Sequence, residues 1–225
     1  DAKNANETLP YSSNHLYHYG RTKAEAERRV LQANATPHKR GVGVLLTCAL
    51  RPHLVFGVGD PHILPRLVAR AKAGKLAFIG DGNNLVDVTY VDNAAHAHLL
   101  AIDALADVHQ RPAGKPYFIS QGTPVNVKSW LNAILKNIGI AEVTRMIPVS
   151  VAYAAGAAAE AAWSAFNRKG EPPMTRFIAK QLGTSHYYDL AAARADLGYE
   201  PIIDDVEAVK RTVAWLKSEL AAGRL

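Results

Sequence analysis

Residues 42–51 form an almost unbroken β-prone apolar run, Val-Gly-Val-Leu-Leu-Thr-Cys-Ala-Leu-Arg, and Pro52 closes it. A strand without polar alternation has no face to turn to water. Such a strand belongs inside a parallel sheet covered on both sides. Proline closes it because it has no amide proton to give to a ladder. A helical pattern over residues 15–32 precedes the run, and the breaker Pro37-His38-Lys39-Arg40-Gly41 separates the two.

The rest of the chain repeats this alternation. Helix is predicted over 63–73, closed by Gly74, over 92–106 with Asp92 as its N-cap, and over 127–138. Further helices are predicted over 149–166, 175–182, 190–197 (stopped by Gly198) and 204–220. The last carries an apolar stripe of Val206, Val209, Val213, Leu216 and Leu220. Strands are predicted at 78–79, 85–91, 117–120, 144–148 and 187–189. Turns fall at 57–61 and at Gly80-Asp81-Gly82-Asn83-Asn84, and Glu171-Pro172-Pro173 interrupts the helices of the C-terminal third. Strands alternating with helices indicate an α/β fold.

Composition narrows the class of protein. The chain has 225 residues, 48% of them hydrophobic and 20% charged, with a net charge of +6. That balance is ordinary for a folded globular chain. The basic residues are dispersed and not interleaved with aromatics, so no nucleic-acid partner is expected. A mild excess of positive charge suits a phosphate-bearing ligand. Cys48 is the only cysteine, which excludes an internal disulfide, fits a cytoplasmic location and reads as a small core residue. The longest weakly polar stretch, 149–166, contains Glu160 and falls short of a membrane span. It is read as a buried or substrate-facing helix, with attachment to a membrane surface as the lesser alternative. Tyr153, Trp163 and Phe166 on it read as core or pocket wall. His96 and His98, two apart on a helix, diverge and make no metal pair. No metal is expected.

Tyr19 and Lys23 are the residues with chemical promise. Four apart on a helix, they share a face with Cβ atoms about 5–6 Å apart. A phenol titrates near ~10, and a cation beside it favours the phenolate. It can then pass a proton to a carbonyl oxygen, or take one from an alcohol. By spacing alone the pair reads as surface neighbours.

The surrounding segments add weight. Tyr19-Gly20-Arg21-Thr22-Lys23-Ala24-Glu25-Ala26-Glu27 resembles the active-site helix of extended short-chain dehydrogenases. Leu50-Arg51-Pro52-His53-Leu54-Val55-Phe56-Gly57-Val58-Gly59-Asp60 is similar to the segment that follows the next strand in that family. Ile79-Gly80-Asp81-Gly82-Asn83-Asn84-Leu85-Val86-Asp87 and Tyr90-Val91-Asp92-Asn93-Ala94-Ala95-His96-Ala97-His98 resemble the 3β-hydroxysteroid dehydrogenase branch. So do Met174-Thr175-Arg176-Phe177 and Asp196-Leu197-Gly198-Tyr199-Glu200-Pro201. Within the branch the chain looks most like bacterial 2-alkyl-3-oxoalkanoate reductases.

The resemblance implies the C-terminal part of a Rossmann-like doubly wound parallel sheet plus a smaller mixed α/β substrate-binding region. Residues 1–52 would be the remainder of the dinucleotide-binding domain. Residues 53–225 would be mainly substrate-binding, with segments around 85–120 returning to the sheet. It implies NAD or NADP as cofactor, and interconversion of a secondary alcohol and a ketone on a bulky apolar small-molecule substrate, of the 2-alkyl-3-oxoalkanoate or 3β-hydroxysteroid type. Tyr19 would carry the proton, and Lys23 would lower its pKa and hold the ribose. Pro52, His53, Leu54 and Val55 would meet the nicotinamide end. His53 is otherwise a solvated loop residue, Arg176 a surface residue or a carboxylate contact, and Asp87 structural. A homodimer is possible. Nucleotide-sugar epimerisation or dehydration, and non-catalytic nucleotide sensing, are the alternatives.

One departure stands out. No Gly-x-Gly-x-x-Gly occurs: Gly41-x-Gly43 and Gly80-x-Gly82 lack the third glycine and read as turns. The family's catalytic Ser or Thr is also unmatched, because Ser12 and Ser13 lie too close to Tyr19. Both features are expected upstream of Asp1. The 225 residues alone are accordingly expected not to turn over or to bind the cofactor measurably.

Overall fold

The computed structural model describes residues 1–11, 18–39, 41–168, 170, 172 and 174–225. The sequence expectations for residues 12–17, for Arg40, and for Glu171 and Pro173 fall outside that set. The described chain is α/β, with helices linking short, mostly parallel strand pairs.

The first expectation needs correcting. The 42–51 run is not one buried strand. Val44–Leu45 folds back antiparallel on Thr36–Pro37, and Ala49–Pro52 runs parallel to Pro116–Ile119. Val42 is fully exposed, and Val44 and Leu45 are about half exposed. Apolar patterning reports what a strand can bury, but burial needs a neighbour. Gly43, at φ 112°, supplies the reversal that makes the hairpin. Only Ala49–Pro52 keeps the predicted parallel pairing, and Pro52 is its last residue.

After Pro52 the chain changes partner. Val55–Phe56 pairs in parallel with Thr89–Tyr90. Phe78–Ile79 pairs with Met146–Ile147, again in parallel. His186–Tyr188 lies between Ala2–Ala5 and Leu85–Val86, parallel to both, and Val125–Asn126 adds an antiparallel edge. The predicted strand over 85–91 is thus two short strands with Asp87 and Val88 buried between them.

Three apolar clusters hold these pieces. The largest packs Phe56, Leu64, Val68, Tyr90, Leu131 and Leu135 against Leu216 of the terminal helix Asp205–Ala221. The second gathers Tyr117, Ile119, Ala193, Leu197 and Tyr199 against the helix Val91–Ala106, with Cys48 half-buried at its edge. The third joins Ile79, Ala152 and Ala179. A fully buried Leu or Val contributes about 1.5–3 kcal/mol, so each cluster is a substantial anchor.

Local chemistry sets the helix ends. Asn126, Thr175 and Asp204 cap their helices by accepting from the amides of Ser129, Ile178 and Glu207. Asp92 does not cap. The helix starts at Val91, and Asp92 in its first turn pairs with Arg211 at 3.4 Å. Asp60 receives the amides of His62, Ile63 and Leu64 at the start of Ile63–Lys72. Gly198, at φ 65°, closes Ala191–Leu197.

Two apolar expectations fail at the surface. Val206 is 79% exposed and leaves the stripe of the terminal helix, while Val209, Val213, Leu216 and Leu220 pack on the core as expected, beside the buried Ala208 and Thr212. Phe166 is 75% exposed at the end of Val149–Ala165, and Tyr153 is also exposed. That helix meets Arg176–Leu182 through Gly156, where a Cβ would stand 2.6 Å from the Thr175 carbonyl carbon. Only glycine permits that approach.

Candidate active site

The helix His18–Gln32 carries Tyr19 and Lys23 on an exposed face. The Lys23 ammonium lies 5.8 Å from the centre of the Tyr19 ring, so the i,i+4 spacing brings cation and phenol together. Both side chains are exposed.

An ionic knot ties this helix to the sheet. Arg51, on Ala49–Pro52, makes two bonds to the Glu27 carboxylate, at 2.8 and 2.6 Å. The Tyr11 hydroxyl donates to the same carboxylate at 2.5 Å. The Tyr11 ring lies against the guanidinium groups of Arg28 and Arg51, and Arg51 also covers Phe118. Burial works to raise the Glu27 carboxyl, but the bonds from Arg51 and Tyr11 outweigh it and hold it below the usual range.

Beyond Pro52 the backbone turns sharply. Leu54 has φ 43°, the left-handed region that a residue with a Cβ rarely adopts. Pro52 and Leu54 are exposed, and Val55 is half-buried. His53 is no solvated loop residue. Its ring faces inward, with Nδ1 2.9 Å from the Asp87 carbonyl oxygen, 4.8 Å from the His186 ring and 5.4 Å from Tyr188. A carbonyl only accepts, so Nδ1 carries the proton. Burial, reinforced by His186, lowers the His53 pKa to about 4. Val55, Gly57, Val58, Pro61, Ile63 and Val91 line an adjacent, mainly apolar cleft of about 270 Å³. Gly57, at φ 141°, allows the cleft wall, since a Cβ there would strike the Tyr90 ring at 2.8 Å.

Asp87 is buried and accepts the Tyr188 amide at 2.9 Å. Burial raises its pKa, and that bond offsets only part of the rise. Its role is structural, as the sequence indicates. Arg176 does not stand free in a pocket: its guanidinium and its amide both bind Glu160, at 2.6 and 2.8 Å. The His98 Nδ1 bonds to the Ala94 carbonyl of its own helix. Among the described residues no three metal-ligating side chains gather, and no helix is long and apolar enough to cross a membrane.

The sequence does not flag Asn93 and Gln121. Asn93 is fully buried, donates to Gln121 and Ile203, and accepts the amides of Ile202 and Ile203. Gln121 accepts the Tyr90 amide and donates to Asp205. This amide knot joins the helix after Tyr90 to the loop before the terminal helix. The one signal for it is an Asn on the otherwise apolar inward face of Val91–Ala106.

The residues present fit the nicotinamide end of a dinucleotide. An exposed phenol and ammonium share one face, and an exposed backbone kink lies just beyond the adjoining strand. No Gly-x-Gly-x-x-Gly occurs in the sequence to take the diphosphate at a helix start.

Comparisons with known proteins agree with this architecture. Residues 1–149 match the 3-beta hydroxysteroid dehydrogenase/isomerase family. A 2-alkyl-3-oxoalkanoate reductase of Shewanella oneidensis is 45% identical over 96% of this chain and 56% of its own length. Short-chain dehydrogenase/reductase family 42E member 1 of Danio rerio is 39% identical over 97% of this chain and 57% of its own. The chain thus spans a little over half the length of these relatives. In fold it is similar to a dTDP-glucose 4,6-dehydratase of Streptomyces venezuelae solved with NAD. That likeness covers 99% of this chain and 57% of the other, with a TM-score of 0.64 at 19% identity. The chain belongs to the 3-beta hydroxysteroid dehydrogenase/isomerase family, on a Rossmann-type α/β framework.

Proposed function

We propose that the protein is an NAD(P)-dependent oxidoreductase that interconverts a secondary alcohol and a ketone on a bulky apolar substrate, of the 2-alkyl-3-oxoalkanoate or 3β-hydroxysteroid type. One observation carries the reading: Lys23 lies over the Tyr19 ring on an exposed helix face. The reductase and short-chain dehydrogenase relatives support it.

In the reductive direction the Tyr19 hydroxyl gives its proton to the ketone oxygen. The bound nicotinamide supplies the hydride that the carbonyl carbon receives. The resulting phenolate is held by the Lys23 ammonium until solvent returns the proton. Two hydrogens are added as hydride and proton, and the product is the alcohol. Pro52 and Leu54, exposed at the kink, would meet the nicotinamide end with His53 and Val55 beside them, and Lys23 would hold the adjacent ribose. The apolar cleft beside Gly57 suits a hydrocarbon chain better than a sugar, which favours the apolar substrate over a nucleotide sugar. The lone Cys48 favours a reducing, cytoplasmic setting.

The test follows nicotinamide absorbance of the complete gene product with a 2-alkyl-3-oxo acid, a 3β-hydroxysteroid and a UDP-sugar. Turnover of either of the first two is expected. Turnover of the UDP-sugar alone would overturn the substrate assignment in favour of an epimerase or dehydratase.

A further inference from the structure

The segment from Pro52 to Val55 does two incompatible-looking things. Up to Pro52 the chain pairs with Pro116–Ile119, and from Val55 it pairs with Thr89–Tyr90. The change of partner is made in two residues, His53 and Leu54, at the cost of a left-handed Leu54. For a residue with a Cβ that conformation is disfavoured roughly 5- to 30-fold per residue. Something must hold it.

Thr89 and His53 supply the hold. The Thr89 hydroxyl, fully buried, donates to the His53 carbonyl at 2.7 Å and also lies 3.1 Å from the Ile119 carbonyl. The Thr89 amide donates to the Leu54 carbonyl at 3.2 Å, and the His53 amide donates to Ile119 at 3.2 Å. The His53 ring is pinned to the Asp87 carbonyl and lies against His186 and Tyr188. The peptide on each side of the kink is therefore fixed from within, while Pro52 and Leu54 face outward.

We infer that Thr89 and His53 are positioning residues: they latch the Leu54 kink and so preset the backbone that meets the nicotinamide. The inference rests on the proposed oxidoreductase function for its ligand, but the latch itself does not. A preset loop gains affinity because its ordering is not left to the moment of binding. Thr89 is fully buried and the His53 ring is turned inward, so both act through the backbone of the kink.

The test is a double-substitution cycle between Thr89→Val and Leu54→Gly, with Thr89→Ser as the conservative control. Glycine enters the left-handed region without strain, so a kink built on it needs no latch. In the complete gene product, Thr89→Val is expected to weaken NADH or NADPH binding about 10-fold, the loss of one well-made buried hydrogen bond. Thr89→Ser should stay within about 2-fold of the parent, since the hydroxyl remains. In the Leu54→Gly background the cost of Thr89→Val should fall to about 3-fold or less.

Urea unfolding of the same four proteins without cofactor reads the latch separately and should show the same coupling. Equal costs of Thr89→Val in both backgrounds would overturn the latch and leave Thr89 an ordinary core residue. Coupling in unfolding with unchanged dinucleotide affinity would overturn the claim that the kink serves the cofactor. No dinucleotide binding by the unsubstituted gene product would overturn the proposed activity and the cofactor half of this inference with it. If Thr89→Val does not fold, His53→Leu removes the bond to Asp87 and the ring contacts with His186 and Tyr188, keeps the His53 backbone bonds, and enters the same cycle with the same expected signs.

Discussion

The Glu27–Arg51 knot determines how firmly the Tyr19 helix sits on the sheet, and Arg51→Met tests it. Methionine keeps most of the side-chain length and removes both bonds to Glu27. An exposed pair is worth about 0.2–1 kcal/mol, and breaking a fully buried one costs about 3–5 kcal/mol. The Arg51 and Glu27 side chains are 18% and 13% exposed, between those limits but nearer the buried one. Glu27 keeps only the Tyr11 hydroxyl after the change. A loss of about 2 kcal/mol follows, discounted for the residual solvent. For a chain of this size that lowers Tm by about 4–8 °C.

The pH dependence carries a definite sign. The folded-state pKa of Glu27 is depressed, so the stability from the knot is present above the unfolded value of about 4.3. It is lost as pH falls through the lower folded value. Thermal unfolding at pH 7 and at pH 3 measures both. Arg51→Met should cost about 2 kcal/mol at pH 7 and clearly less at pH 3. In a Glu27→Gln background the pH 7 cost should fall below about 1 kcal/mol. An undiminished cost in that background would show that Arg51 acts by packing on Phe118 and Tyr11, and would refute the ionic account.

Other outcomes follow from the same geometry. Asn93→Leu strands the Ile202 and Ile203 amides and should cost about 3 kcal/mol in urea unfolding, with faster amide exchange at those two residues. Gly156→Ala forces a Cβ into the Thr175 backbone and should cost about 2 kcal/mol, whereas Gly41→Ala, whose Cβ would meet nothing nearer than the His38 ring at 3.8 Å and needs no left-handed backbone, should cost less than about 1 kcal/mol. The His53 pKa falls from 6.5 to about 4 on folding, so the unfolded chain binds the extra proton and stability drops as pH falls from about 6.5 toward 4. His53→Gln keeps an N–H for the Asp87 carbonyl, and unfolding followed between pH 6.5 and about 5 should show a shallower slope than the parent.

Local rules made part of this molecule readable. Tyr19 and Lys23 meet because helical spacing alone brings them together. Gly198 marks a helix end by its own chemistry, and the alternation of strand and helix indicates the fold class. Features that depend on distant partners were not readable. Val42, Val44 and Leu45 look like a buried strand, yet burial depends on what lies beside them. Asp92 has the chemistry of a cap, but the buried Tyr90–Gln121 contact starts the helix one residue earlier. His53 turns inward because Asp87 and the strand carrying His186 and Tyr188 converge on it from two other segments. Asn93 and Gln121 bind each other across 28 residues of chain, which no local pattern announces.

The central claim is that Tyr19 carries the proton and Lys23 stabilises its phenolate. Tyr19→Phe in the complete gene product, assayed by nicotinamide absorbance with the preferred ketone, tests it most directly. The account predicts a fall in kcat of about 10²–10⁴-fold with dinucleotide affinity little changed. Turnover by Tyr19→Phe at the parent rate would contradict it.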